Sequence, residues 1–450
     1  MFSSFTRFFS KETTDFVSDK QQIREMIKVA SKELKDKADN GDAKSQAAYG
    51  EFIEAGKLGK KDPKLAFKYY KMSADQKDPD GLYNLGRSYL EGIGVEKDVK
   101  LGIHYLNNAS GLNHQGAQYL LANTYFNGAE GIPVNKIYAA RYFKLAADNG
   151  LKAAQNSYGF MLLNGDGVDK NEEEAMKYFK MSADQGDPDG QYNYARGLNS
   201  STDTKQAIEY FEKSAKNGVP QSLVALAMIY SNGRGIKRDE KKAFEYAKQA
   251  AATNDPSGHF IYGYFLQVGL GTTQDPKSAI QHYKIAADGG NIVAQGNLAR
   301  MYQFGEGTPV DLTSAVKYFK MAADNGDMNC ANSYAFLVSK GMGTKLDMKE
   351  AMEYFKKAID AKNVTAMNNV GIIYLKGEGG VKQDTKEALK MFEMAADYGE
   401  PLGYCNMAFV YEKGIGVKAD LEMARKYYKM AADLHYPFAQ KCLDRINKMK

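Results

Sequence analysis

Metal or nucleophilic chemistry in this 450-residue chain would fall to five histidines (His104, His114, His259, His282, His435) and three cysteines (Cys330, Cys405, Cys442). Zinc held by one helix or tight loop needs two donors a few residues apart, so that both reach the same ion. None of these side chains has such a neighbour in sequence, and no metal or other cofactor is expected. The cysteines are few and far apart, each in a stretch of helical periodicity. They are read as small buried hydrophobes of a reducing compartment, not as a disulfide framework. Activated-serine, kinase and H-E-x-x-H signatures are missing. Gly-x-Gly turns recur, yet none carries the Gly-Lys-Ser/Thr of a phosphate loop or follows a strand. With no nucleophile set beside a base, the expected role is non-catalytic.

Bulk composition narrows the partners. Sixty basic and 55 acidic residues interleave to a net charge of +5, with no basic block standing apart, so nucleic acid is not an expected partner. No apolar run approaches the ~20 residues that span a bilayer, and no integral membrane segment is expected. The first residues carry Phe2, Phe5, Phe8 and Phe9 with Arg7 and no acid before Glu12. A transit peptide or a weak membrane-surface anchor shares that pattern, but residues 1–20 are read as a flexible tail.

What positions these side chains is a repeat. A small residue recurs before a mid-helix aromatic at Gly50, Gly86, Ala122, Gly159, Ala195, Ala227, Gly263, Ala299, Ala335, Gly371 and Ala408. The spacing is 36 or 37 residues except for one step of 32, giving eleven units over residues 43–436 with no linker between them. In the second unit Leu82, Leu85, Gly86 and Tyr89 trace one helix face. The tiny residue lets a partner helix approach closely. Pro79, Pro188, Pro220, Pro256 and Pro401 open such helices, where the first turn has no use for an N–H.

Each first helix then meets Gly-x-Gly, as at Gly92/Gly94 or Gly341/Gly343, which supplies a left-handed stop. A few residues on stands an Asx N-cap: Asp62, Asp98, Asn135, Asn171, Asp203, Asp239, Asp275, Asp311, Asp347, Asp384 or Asp420. The second helix reads Ala-x-x-Tyr-Phe-Lys-x-Ala-Ala, as in AARYFKLAADNG from Ala139. His282 takes a column held mainly by tyrosine and is read as a core substitution. The fifth unit lacks the Gly-x-Gly loop and four residues, so a locally irregular hairpin is expected there. Residues 21–42 read as a capping half-repeat and residues 437–450 as a closing cap.

The combination of small residue, Tyr, Gly-x-Gly-Val/Ile, Asp, Lys/Glu-Ala, Tyr-Phe and Ala-Ala-x-x-Gly resembles the Sel1-like repeat, a tetratricopeptide relative with a longer inter-helix loop. The resemblance implies an all-α fold: a right-handed α-α superhelical solenoid of about eleven helix-turn-helix units, with first helices lining the concave side. It also implies an adaptor or scaffold that binds a peptide or helix of other proteins. The cytoplasm is the expected compartment. An adaptor of ER-associated degradation and a structural spacer are the other readings, and the oligomeric state is left open.

Beside the core face of each first helix lies a stripe whose residues vary from unit to unit. From it Tyr83, Arg87, Tyr119, Asn123, Phe126, Phe160, Tyr192, Arg196, Phe260, Tyr264, Arg300 and Phe336 are expected to grip the partner. Aromatic and arginine side chains are the usual anchors of protein interfaces.

Overall fold

The computed structural model describes residues 18–57, 59–198 and 203–448, and side chains from residue 29 onward. The phenylalanines of the first ten residues lie outside the described residues, as does Asn199, which continues the stripe of Tyr192 and Arg196 in sequence. The remainder is all-α, with 24 α-helices. An opening helix, Ser18–Asp39, is followed by eleven hairpins, from Ala43–Glu54 with Pro63–Asp75 to Pro401–Lys413 with Leu421–Asp433. Pro437–Asn447 comes last. Contacts gather the chain into two compact units, Met1–Gly218 and Val219–Lys450. The division falls at the end of the short fifth hairpin, where the first helix, Pro188–Gly197, is cut to 10 residues.

Local chemistry sets the helix ends. Ten of the eleven expected Asx residues accept a backbone N–H two or three residues on, as Asp98 does from Leu101 at 2.9 Å and Asn171 from Glu174 at 3.0 Å. The remaining one, Asp203 of the fifth hairpin, takes a helical rather than extended conformation, φ −91° and ψ −5°. In the ninth hairpin Gly341 and Gly343 both take positive φ, 64° and 74°. The second glycine of the pair also lies against the N-terminus of the preceding hairpin's second helix, so the loop is part of the stacking.

Between hairpins the core is alanine and aromatic. Second-helix rings such as Tyr70, Phe179, Tyr283, Phe355 and Phe392 are fully buried, and Tyr70, Phe179, Tyr283 and Phe392 each fit over the glycine of their own first helix. A Cβ on Gly159 would stand 2.9 Å from the Phe179 ring. Burying such a ring contributes roughly 1.5–3 kcal/mol. Two ladders of hydrogen bonds add direction to this apolar stacking. In one, a first-helix glutamine donates to a carbonyl near the end of the preceding helix: Gln46 to Ala38 O at 3.0 Å, Gln155 to Ala147 O at 3.1 Å, Gln295 to Ala287 O at 3.0 Å. In the other, a second-helix tyrosine donates to an acid thirty residues or so back. Tyr69, Tyr178 and Tyr210 reach Asp39, Asp148 and Asp184, each at 2.7 Å. Burial first, then the bond to Asp148, pushes the Tyr178 phenol up to about 12. None of the described helices is long and apolar enough to cross a membrane.

Candidate partner-binding face

The stripe occupies the fourth, eighth and eleventh residues after the one that opens each first helix (Tyr83, Arg87 and Leu90 after Pro79), which a 3.6-residue turn brings to one side. The three columns have different surroundings. The fourth-residue column packs. Tyr83 stacks on His114 of the next hairpin, with ring centroids 4.6 Å apart. Tyr119 and Tyr192 set their edges against Phe143 and Phe211, at 5.6 and 5.8 Å, and Phe260 leans on Tyr283. Cys405, in this column, is buried. Where the column holds asparagine it ties neighbouring first helices together. Asn193 donates to Asn156 at 2.8 Å, and Asn369 and Asn406 donate to Asn332 and Asn368 at 2.9 Å.

The eighth-residue column is the open one. Phe160, Met228, Tyr264, Phe336 and Phe409 are 37–45% exposed, too much for core residues and enough to meet another surface. Arg196 and Arg300 are exposed in the same column. Arg196 lies over the Tyr192 ring, 5.5 Å from its centroid, and Arg300 donates to Asn297. Among the described residues neither arginine makes an ion pair with a carboxylate.

Arg87 and Asn123 occupy that column but are engaged. Asn123 donates to the Tyr119 carbonyl one turn back at 3.0 Å. The Arg87 guanidinium donates to Glu54 of the preceding hairpin at 2.6 Å, and the same carboxylate accepts from Tyr70 at 2.7 Å. Burial would raise the Glu54 carboxyl, but Arg87 and Tyr70 outweigh it and hold it below the usual range. The last hairpin repeats the arrangement: Arg445 and Tyr428 donate to Glu412 at 2.6 and 3.2 Å. Arg87→Ala is therefore expected to cost about 1.5–3 kcal/mol of stability, the range for a hydrogen bond to a charged group. Urea denaturation of the wild type and the variant measures it; an unchanged midpoint would mean that Arg87 serves something other than the stack. Phe126, of the eleventh-residue column, is half-buried with its ring edge toward Phe143, 6.4 Å away.

Catalytic geometry has little to build on. Among the described residues no group of three or more His, Cys, Asp or Glu could hold a metal ion. The cysteines are buried free thiols, and burial pushes Cys330 up to about 12, far from a reactive thiolate. Two histidine roles have no signal in the sequence. His114 caps a first helix by accepting the Ala117 N–H on Nδ1 at 3.0 Å. His259 and His282, distant in sequence, meet Nδ1 to Nδ1 at 2.9 Å.

Comparison with known proteins adds a family and a fold. The Sel1 repeat family model matches in eleven stretches, running from 43–78 and 79–114 to 364–399 and 401–436. Among solved structures, a protective antigen of uropathogenic Escherichia coli is similar over 93% of this chain and 91% of its own, at 27% identity and a TM-score of 0.67. A Sel1 repeat protein from Oxalobacter formigenes shares the fold over 69% of this chain and 94% of its own, at 24% identity and a TM-score of 0.58. Curated relatives match over short segments. Chitin synthase regulator SKT5 of Saccharomyces cerevisiae is 28% identical over 29% of this chain and 19% of its own length. Chitin synthase regulatory factor 2 of Schizosaccharomyces pombe is 31% identical over 19% of this chain and 16% of its own. A HRD3B ubiquitin-ligase component of Arabidopsis thaliana is 41% identical over 11% and 8%. The chain thus spans less than a fifth of the length of these curated relatives.

Proposed function

Since the chain belongs to the Sel1 repeat family, we propose that it is a non-catalytic adaptor whose first helices bind a peptide or helix of another protein. The observation that carries this reading is the eighth-residue column. In the unit Val219–Lys450 it sets Tyr264, Arg300 and Phe336 on three successive first helices and Phe409 on the next but one, past the half-buried Ile372, all four exposed and outside the packing that the fold requires. Arg300 leaves a guanidinium available to a carboxylate, and the rings offer large area at low entropy cost. A spacer would have no use for such a row. Met1–Gly218 offers Phe160 and Arg196 in the same column, whereas Arg87 serves its own stack.

The relatives named as regulators of chitin synthase, and the one named as a ubiquitin-ligase component, agree with a role that acts through other proteins. The segment shared with the latter keeps an adaptor of ER-associated degradation as the second reading, with an ER-associated location as the alternative to the cytoplasm.

The test is affinity capture from native extract with the full chain, comparing wild type with Tyr264→Ala/Arg300→Ala/Phe336→Ala. Truncating anchor residues of an interface costs about 2 kcal/mol or more each, so specifically retained proteins should fall at least ~30-fold while circular dichroism stays unchanged. Ile285→Ala, on a second helix and 48% exposed, should leave capture intact. Equal capture by wild type and the triple variant would remove this face from consideration.

A further inference from the structure

In one hairpin histidine replaces the residues of both hydrogen-bond ladders. In residues 256–291 the glutamine column is held by His259 and the tyrosine column by His282, and the residue thirty positions before His282 is Ala252 instead of an acid. Neither of the usual rungs can form. The two imidazoles answer each other: Nδ1 meets Nδ1 at 2.9 Å, with rings stacked 5.2 Å apart at 24°. Tyr262 sets its ring edge against His282, 4.7 Å between centroids. His259 is only 6% exposed, and its Nε2 is buried without a hydrogen-bond partner.

We propose that this pair is an acid-sensitive latch that holds the hairpin Pro256–Asp288 closed while it carries two protons and releases it on taking up a third. The argument is a proton count. At 2.9 Å the two Nδ1 atoms have room for one hydrogen between them. The neutral pair places its other proton on His282 Nε2 and leaves His259 Nε2 bare, which puts no unpaired N–H in the dry interior. A third proton cannot enter the shared bond, so it must go to His259 Nε2. That state buries a charge and an N–H with no acceptor, the arrangement proteins avoid most strongly. The alternative is to break the bond and turn a ring out to water.

Charges nearby do not rescue it. Burial lowers the pKa of both rings; Asp255, the N-cap of the first helix, is the one charge that opposes this at His259, and His282 feels only His259. Among the described residues no ion pair or hydrogen bond joins either ring to a charged side chain of Glu240–Ala252, Pro276–Asp288 or Ile292–Phe304, and Pro220–Asn232 carries no Asp, Glu, Lys or Arg. The folded pair therefore binds fewer protons than the unfolded chain, whose histidines titrate near 6.5. Its contribution is complete above that pH and is lost as pH falls through it. With two protons at stake, the opening constant rises by up to about 100-fold per pH unit.

Amide hydrogen exchange of the full chain, followed by mass spectrometry and corrected for intrinsic rates, tests this. Peptides from 256–291 are compared with 292–327, which contains no histidine. The ratio of their protection should fall by ~10–100-fold between pH 7 and 5.5 in the wild type. It should stay flat in His259→Gln/His282→Tyr, which restores the residue types of both ladders. Should that variant fail to fold, His259→Gln alone serves, since a glutamine there can donate to the Ala251 carbonyl as Gln295 does to Ala287. A flat ratio in the wild type, or an equal fall in the folded variant, overturns the proposal.

Discussion

Replacing Gly343 by alanine is expected to destabilise the ninth hairpin by roughly 3 kcal/mol or more, while alanine at Gly341, two residues earlier, costs about 1–2. Both glycines hold left-handed backbone, φ 74° and 64°. That conformation alone penalises an L-residue by about 1–2 kcal/mol. What separates them is the neighbour. A Cβ on Gly341 would meet Leu346 Cβ at 3.3 Å, inside its own loop, which can yield. A Cβ on Gly343 would run into the backbone of Leu312 and stand 2.7 Å from its Cβ, at the start of the preceding hairpin's second helix. That backbone is the first turn of a helix capped by Asp311, so it cannot move without loosening the stack. Asparagine, which tolerates the left-handed region, should recover most of the loss at 341 and little at 343. Urea denaturation of the four variants gives the comparison; equal costs at the two positions would mean that the loop does not carry inter-hairpin packing.

Helix boundaries were legible because they are written in local chemistry. Asx caps, opening prolines and Gly-x-Gly stops each act within a few residues, and a single sequence displays them. The ladders were not. Tyr178 and Asp148 are visible as two columns, but their bond depends on how far one hairpin is turned against the next, which no local pattern encodes. The stripe shows the same limit. Arg87 and Arg300 occupy one column and look alike in sequence. They differ because the residue thirty-three positions earlier is Glu54 for one and Gln267 for the other, so only the first finds a carboxylate within reach. Once the stacking register is known, that offset is readable; before it is known, nothing marks it. His259 and His282 were separated for the same reason: twenty-three residues put them on different helices, and metal or pairing spacings are defined along one.

The largest single loss is expected at Phe392, and its size should depend on Gly371. The ring is fully buried and sits on the bare backbone of Gly371, where a Cβ would stand 2.7 Å from Cδ1 and 2.9 Å from Cζ. Phe392→Ala removes that ring and should cost about 3–5 kcal/mol, the lost transfer free energy together with the cavity left behind. Gly371→Val forces carbon into the space the ring occupies and should cost about 1–3 kcal/mol through displaced rotamers and backbone. In the double variant the valine enters the volume the ring has vacated. The combined loss should therefore fall short of the sum by about 2 kcal/mol, within the range found for residues in direct contact. Gly371→Ala is the mild control, because Ala299, Ala335 and Ala408 occupy the same column opposite Phe319, Phe355 and Tyr428. There the entropy regained by removing a helix-interior glycine, about 0.5–1 kcal/mol, offsets part of the crowding. A double-mutant cycle on urea midpoints reads the coupling. Strict additivity would mean that the glycine column is there for some reason other than the approach of the ring, and the account of why small residues recur every 36 residues would have to be replaced.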